Sequence, residues 1–491
     1  MRSKLFAVSS TFLLLTLLPY PRAWADESQL ISMINELQKQ MSHMQKTINE
    51  QHTEIQELKK RGAQIQVAPA AGGEVPKATP MSDYDFGQML DTATGGAQKW
   101  LKDLKFAGDL RLRYEAFHYT SGNPLETDDR NRFRYRLRFG FEKKFNDDMM
   151  IGFGLASGET GAAGSNGLNT DPTSTNTTFD NNFNFKPIFI EKAYGSYTPG
   201  LLKNRGPLKQ VNVTAGKMNN PFEKGASDMV WDRDVKPEGI YEKADLKLID
   251  SENFKLNSYV TAGQFVLDED ATVGGDANLF GYQLGINPVV YTPFFERPVD
   301  FLQAFSYYDF SGYARKSNFL IGTTSLARGN PNVDRISTEL DAGRFNIIES
   351  YSEIAFYPGG TPLRLHLDLA GNPSDAAGRL NTGDTLEHKF SNDFAYGFGV
   401  KLGSIVKKHD WELGYQYKYI GPDSVVGAFN DSDFGDGHAG KRGSVIRLGY
   451  ALTDTITLNG TMFFVENLNS DTASILDQQQ RRFQLDLSWK F

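Results

Sequence analysis

Four arginines, Arg132, Arg134, Arg136 and Arg138, stand at alternate positions in one short run, and Arg111 and Arg113 repeat that spacing upstream. A helix would scatter these side chains round its circumference. A strand, with its two-residue period, puts them on one face. A row of guanidinium groups attracts anionic and polar groups, and rows of like charge decide which solutes enter a narrow aqueous passage. Asp232, Asp234 and Glu238 lie downstream and supply the opposite charge. If their segment folds against the arginine row, the two set up a transverse field that favours polar or charged solutes over apolar ones. The plainer reading is that the arginines solvate a wall, or pair with Asp109 and Glu115, which share the face of Arg111 and Arg113. The spacing leaves both readings open.

Other chemistry has little support. The seven histidines are scattered, and none has a partner at metal-ligand spacing. Cysteine is absent, which excludes disulfides and thiolate metal sites. No G-x-S-x-G nucleophile elbow occurs. The Gly-rich stretch 158–167 lacks the lysine and the strand–helix context of a phosphate loop. Asp268-Glu269-Asp270 and Asp431-Ser432-Asp433 are oxygen-rich clusters of the kind that binds Ca²⁺ or bridges lipopolysaccharide through divalent ions. Solvated turns are the commoner role of such clusters and the one expected here. The expectation is therefore no catalytic residue, no metal and no cofactor. A net charge of −8 argues against nucleic acid as a partner.

The elements that must carry the arginines are strands. In the first, Phe106, Leu110, Leu112 and Tyr114 alternate with Asp109, Arg111, Arg113 and Glu115; in the second, Phe133, Tyr135, Leu137, Phe139 and Phe141 alternate with the arginine row. The pattern returns at Leu363, Leu365, Leu367 and Leu369, at Trp411, Leu413, Tyr415, Tyr417 and Tyr419, and at Phe483, Leu485, Leu487, Trp489 and Phe491. Alternating segments begin near 105, 130, 149, 188, 209, 239, 254, 278, 300, 346, 361, 394, 409, 443, 455 and 480. Those near 188, 239, 254 and 300 alternate poorly, which leaves counts of about 14 or 18 open beside about 16. Tight turns such as Asn146-Asp147-Asp148, Pro358-Gly359-Gly360 and Thr453-Asp454 join pairs of strands, and long polar stretches such as 158–185, 312–344 and 421–441 separate the pairs.

Before residue 105 the pattern is different. Arg2 and Lys4, an apolar run over 5–18 and Ala23-Trp24-Ala25 make up a signal peptide with a cleavage site before Asp26. Residues 26–62 carry heptads, with Ile34, Met41, Ile48 and Ile55 at a and Leu30, Leu37, Met44, Gln51 and Leu58 at d. The expectation is a short α-helical coiled coil, most simply a homo-oligomer, because its e and g positions carry few charges to select another partner. Residues 63–104 read as an Ala/Gly/Pro-rich linker and a short amphipathic segment.

Three features favour a membrane over a soluble β-sandwich. The apolar faces are rich in Phe, Tyr, Trp and Leu, and aromatics make up 12% of the chain. The opposite faces carry dense charge that a dry core would not tolerate and a water-filled lumen would solvate. The last strand ends on Phe491, so Phe483, Trp489 and Phe491 are candidates for a membrane-insertion signal. In lipid every backbone N–H and C=O must be paired within the protein, which demands closure. The expected fold is all-β: a transmembrane antiparallel β-barrel over 105–491. With an even strand count both of its ends face the periplasm, where the coiled coil would hang.

On these residues the chain resembles the bacterial outer-membrane porins, and more narrowly those with an N-terminal periplasmic coiled coil. The closest stretch is Ala215-Gly216-Lys217-Met218-Asn219-Asn220-Pro221-Phe222, followed by Trp231-Asp232-Arg233-Asp234-Val235-Lys236-Pro237-Glu238-Gly239. The resemblance extends to general diffusion porins and to sugar- and phosphate-selective ones. It implies a trimeric, 16-stranded channel in the outer membrane, surrounded by lipid and lipopolysaccharide, that passes small polar solutes. A structural alternative is a tether from the outer membrane to peptidoglycan through the coiled coil. A further alternative is a channel specific for a sugar or an anion.

Overall fold

The computed structural model describes residues 104–120, 129–159, 171–269, 276–312, 345–373, 393–422, 424–437, 439–468 and 479–491. The signal peptide, the heptad segment and the linker lie outside the described residues.

Strands come first from the alternation, and their order is simple. They are β1 (Leu104–Thr120), β2 (Arg130–Lys144), β3 (Met149–Ser157), β4 (Thr177–Thr178), β5 (Ile188–Tyr197), β6 (Leu208–Lys217), β7 (Glu238–Asp250) and β8 (Phe254–Asp268). There follow β9 (Ala277–Val290), β10 (Val299–Ser311), β11 (Phe345–Phe356), β12 (Leu363–Gly371), β13 (Phe394–Gly403), β14 (Trp411–Ile420), β15 (Lys441–Ala451), β16 (Ile456–Asn467) and β17 (Gln479–Lys490). Each pairs antiparallel with its neighbour, and β1 pairs with β17 from Asp109↔Lys490 to Thr120↔Gln479, so the sheet closes. The two-residue β4 lies beside β2 where the shorter β3 has ended. Without it the wall has 16 strands, and each starts within two residues of an alternating segment in the sequence. At the seam the N–H of Phe491 donates to Gly108 O (3.0 Å) and the N–H of Gly108 to Phe491 O (2.8 Å).

Burial is inverted relative to a soluble fold. On β17, Arg482 and Gln484 are 1% and 2% exposed, while Phe483 and Leu485 are 37% and 40% exposed. The apolar face looks outward and the charged face inward, as a lipid-embedded wall around an aqueous interior requires. The outward face is graded along its height. On β13–β15, Trp411 pairs with Tyr450 at one end and Tyr396 with Tyr419 at the other, with Leu413↔Leu448 and Val400 between them. Phe398↔Tyr417 and Tyr415 widen the second rim, and aromatics at both ends suit the two polar–apolar boundaries of a bilayer.

The barrel ends differ as well. The connections 145–148, 251–253, 357–362 and 452–455 are short and lie at the end that holds both the start of β1 and the end of β17. The other end carries 158–187, 218–237, 312–344, 372–393 and 421–440.

Weak alternation has two physical causes. Register shifts break parity at Gly154/Leu155 in the β3–β5 pair, Leu208/Gln210 in β6–β7, Lys247/Ile249 in β7–β8 and Val266/Asp268 in β8–β9. On β10 and β11 the inward residues Tyr308, Phe310, Phe345 and Ile347 are themselves apolar and buried. Something inside the barrel covers them.

Candidate functional site in the barrel lumen

A wall of 16 strands encloses a space wider than its own side chains can fill. Two long connections occupy part of it: 218–237, between β6 and β7, and 421–440, between β14 and β15. The first leaves the wall at a narrow neck, where Met218 N–H donates to Pro237 O (3.0 Å). Gly216 and Gly239 face each other across that neck. Gly216 has φ 123°, and a Cβ there would sit 2.3 Å from Ala193 O, so only glycine fits. This accounts for two glycines of the motif that flanks the segment.

From the neck the first loop crosses to the far wall. Phe222 meets Tyr308 edge-on (5.2 Å between centroids), and Trp231 meets Tyr308 (5.3 Å) and Phe429 of the second loop (5.8 Å). These rings, with Met229, Val235, Val425 and Phe434, form an apolar cluster against the inward faces of β10 and β11. Polar contacts fix its position. Gln283 on β9 donates to Phe222 O (3.0 Å) and Gly225 O (3.2 Å), and Ser227 donates to Asp368 on β12 (2.5 Å). Asp228 reaches Lys418 (3.3 Å) and Arg447 (3.2 Å) on β14 and β15. The two loops are also tied to each other: Asp232 N–H donates to Phe429 O (2.7 Å), Asp431 N–H to Asp228 O (3.0 Å) and Ser432 N–H to the Asp232 carboxylate (2.9 Å).

The arginine row lies on the opposite wall, and every member has a carboxylate. Arg113 makes a bidentate pair with Asp486 (2.6 and 2.7 Å) and reaches Asp433 (2.8 Å). Arg132 pairs with Glu115, and Arg134 lies 3.9 Å from Glu115 and 3.5 Å from Glu159. Arg136 pairs with Asp109 (2.5 Å), and Arg138 with Asp234 (2.6 Å) and Glu191 (3.1 Å). Arg111 lies 3.7 Å from Asp486 and donates to Asn176 (2.5 Å). Arg482 on β17 completes the group through Glu115 (2.6 Å) and Asp433 (2.7 Å).

The sequence offers Asp232, Asp234 and Glu238 as candidates to oppose this row. Among the described residues, only Asp234 of the three pairs with it. The Asp232 carboxylate caps backbone N–H groups of Asp234 and Ser432, and Glu238 starts β7 and pairs with Lys217 (2.6 Å). Most counter-charges come from the wall itself, Glu115, Asp109, Asp486 and Glu191 among them, and the second loop adds Asp433 to Arg113 and Arg482, while its Asp431 pairs with Lys418 (2.7 Å) on the far side. Asp431-Ser432-Asp433 was legible as an acidic cluster, but its partners are not its sequence neighbours.

The loop carboxyls respond to these surroundings. Burial resists ionisation of Asp433, but Arg113, Arg482 and Arg111 hold it well below the usual carboxylate range. Asp234 is lowered against burial by Arg138 and Arg136, and Asp228 by Lys418 and Arg447. Asp232 goes the other way: burial, reinforced by Asp234 and Asp431, pushes it well above that range. The arrangement can narrow the aqueous passage and fix charge along it. Among the described residues no group of His, Asp and Glu could hold a metal ion.

The sequence matches the family described as "Putative porin" over residues 124–339 and 342–491. Among solved structures the chain is similar to OprB of Pseudomonas putida, at 10% identity over 81% of this chain and 97% of that one, with a TM-score of 0.42. It is similar to OmpF of Salmonella typhi at 9% identity over 79% and 97%, with a TM-score of 0.41. A third similar structure is OccK1 of Pseudomonas aeruginosa, at 10% identity over 80% and 99%, with a TM-score of 0.36. No curated protein matches the sequence.

Proposed function

The chain belongs to the Putative porin family, and from that premise we propose a water-filled outer-membrane channel in which small hydrophilic solutes diffuse past a constriction made by the two inward loops. The observation that carries the reading is the inverted wall, with an apolar belt outside and charge inside, crossed by residues 218–237 from one side of the lumen to the other. A closed barrel satisfies its backbone in lipid, and its polar interior admits water.

Within this reading, Arg111, Arg113, Arg132, Arg134, Arg136 and Arg138 line the wall and anchor loops. Asp234 joins them from the constriction loop, with Asp232 holding the two loops together. The short-turn end faces the periplasm, and residues 26–62 extend there and promote trimers. Phe483, Trp489 and Phe491 sit on the closing edge of the wall and serve insertion.

Purified full-length protein in planar bilayers should give ohmic, stepwise conductance, with steps in threes if the trimer holds. Membranes that take up folded protein and stay at baseline current would overturn the channel. Uniform single steps would remove the trimer and leave the channel standing.

A further inference from the structure

Three lumen cations break the rule that the arginine wall follows. Lys224 and Arg233 of the first loop and Lys243 of β7 have no carboxylate within ion-pair distance among the described residues. All three line one cavity of ≈ 550 Å³, together with Asn219, Asn220, Pro221, Glu223 and Tyr241. Lys224 Nζ lies 4.9 Å and Lys243 Nζ 4.8 Å from the centroid of the same ring, Tyr259. That ring is held in place by its hydroxyl, which donates to Gln283 (2.9 Å). Two ammonium groups on one aromatic ring gain cation–π attraction but repel each other. Burial, then the neighbouring Lys243, lowers the pKa of Lys224.

The other side chains strengthen the pattern. Asn220 is 4% exposed; its Oδ1 accepts from Phe222 N–H (3.1 Å), and its Nδ2 has no acceptor. Glu223 is the one carboxyl in the lining, and burial raises it despite Lys236 and Arg233. Asp245, two residues beyond Lys243, accepts from Gln210 (2.9 Å), lies outside the lining and attracts Lys224 from beside it. With Glu223 ionised, the lining carries three positive charges and one negative, an excess of two. Within the lining itself cations outnumber carboxyls, and the amides of Asn219 and Asn220 and the phenol of Tyr241 lie beside them.

We propose that this cavity is an anion subsite on the solute path and takes small dianionic oxyanions, in the form of a phosphate or a dicarboxylate. Two negative charges match the excess of two. The planar fork of Arg233 suits paired oxygens of either group, and the lysines act as point charges beside it. The subsite rests on the reading of the barrel as an open channel, because solutes reach it through the lumen.

The test is single-channel recording of the full-length protein in potassium chloride, with inorganic phosphate or succinate added. In the wild type either dianion should reduce the chloride current at concentrations where nitrate does not. Lys224→Gln/Arg233→Gln/Lys243→Gln should weaken that block roughly tenfold or more, the scale of lost charge-assisted contacts. It should also shift the reversal potential towards cations. Arg233→Lys, which keeps the charge and loses the fork, should weaken block less. Block by phosphate alone or by succinate alone supports the site and names its source. Block that is equal in wild type and triple variant, or equal for nitrate, overturns the subsite while the channel stands. A wild-type barrel that carries no current overturns the channel and the subsite together.

Discussion

Arg482 on β17 and Lys243 on β7 are both lumen cations, yet they live in different chemistry. Arg482 is buried among Glu115, Asp433 and the Phe117 ring. Lys243 has the Tyr259 ring and a neighbouring lysine, and shares an open cavity with them. A buried charge without a partner costs several kcal/mol, so a tightly packed wall must bring its own counter-ions. An accessible cavity keeps water at the ammonium group and leaves its charge available to a solute. Seven arginines on the first side, Arg111, Arg113, Arg132, Arg134, Arg136, Arg138 and Arg482, meet eight carboxylates, those of Asp109, Glu115, Glu159, Glu191, Asp234, Asp433, Asp436 and Asp486. Number of charges and strength of field are therefore different properties, and the richer arginine face is the more nearly neutral.

The sharpest way to break this contrast is Arg482→Ala. It removes the bonds to Glu115 and Asp433 and also a bond to the Asp433 backbone carbonyl (3.1 Å). Glu115, with a fully buried side chain, keeps Arg132, Arg113 and Gln484 but loses its one charged partner on β17 among the described residues. The expected loss is about 3–5 kcal/mol of stability, the range for breaking a buried ion pair. Release of the second loop should raise conductance. Heat-modifiable gel mobility and single-channel current would show both. Unchanged values for both would mean that the apolar cluster and the remaining contacts, Asp431 to Lys418 and Asp433 to Arg113 among them, hold the loop without Arg482.

Acid should loosen the same side by a smaller amount. Asp433, Asp234 and Asp228 have folded pKa values below those of the unfolded chain. Their stabilisation is complete above the ordinary carboxyl value of about 3.9, and it is lost as pH falls from there towards the depressed folded values. Asp232 has the opposite sign. Its protonated form favours the folded loops below about 3.9, and that contribution disappears as pH rises through its raised folded value. Three groups against one make acid disruptive on balance. Single-channel current should be steady from neutral pH down to about 4 and become noisy or larger below it. Disruption that begins near neutral pH would point to other groups.

The wall was readable in the sequence because its rule is local. Parity along a strand depends on the lipid–water contrast at each residue, so Phe483, Leu485 and Leu487 sort themselves from Arg482, Gln484 and Asp486 without knowledge of any partner. The lumen was less readable because its rule is long-range. Arg113 and Asp433 are 320 residues apart, and Asp228 meets Arg447 across 219. Neither loop has a period that would announce its fold. The poor alternation of β10 was in fact a signal, since Tyr308 and Phe310 on its inward face require a cover, and Trp231 supplies it. Arg482 also stands on the correct face of the last strand in the sequence, but nothing local distinguishes it from Gln484, Asp486, Ser488 and Lys490 as the main counterpart of Glu115.

The smallest expected effect is the most direct test of paired against available charge. Arg134→Ala with Arg136→Ala removes two positive charges from the row that looks strongest in the sequence. Each is already matched, Arg134 by Glu115 and Glu159 and Arg136 by Asp109, so the solute sees little of their field. Removal also frees Asp109 and Glu159, whose side chains are 22% and 48% exposed and therefore able to recruit counter-ions from solution. The anion/cation ratio should move only slightly towards cations, by less than for the Lys224, Arg233 and Lys243 triple variant, although that variant removes just one charge more. Reversal potentials measured in the same salt gradient would rank the two. A double variant that shifts the ratio as far as the triple one would return selectivity to the arginine row, and the distinction between the two sides of the lumen would then rest on packing alone.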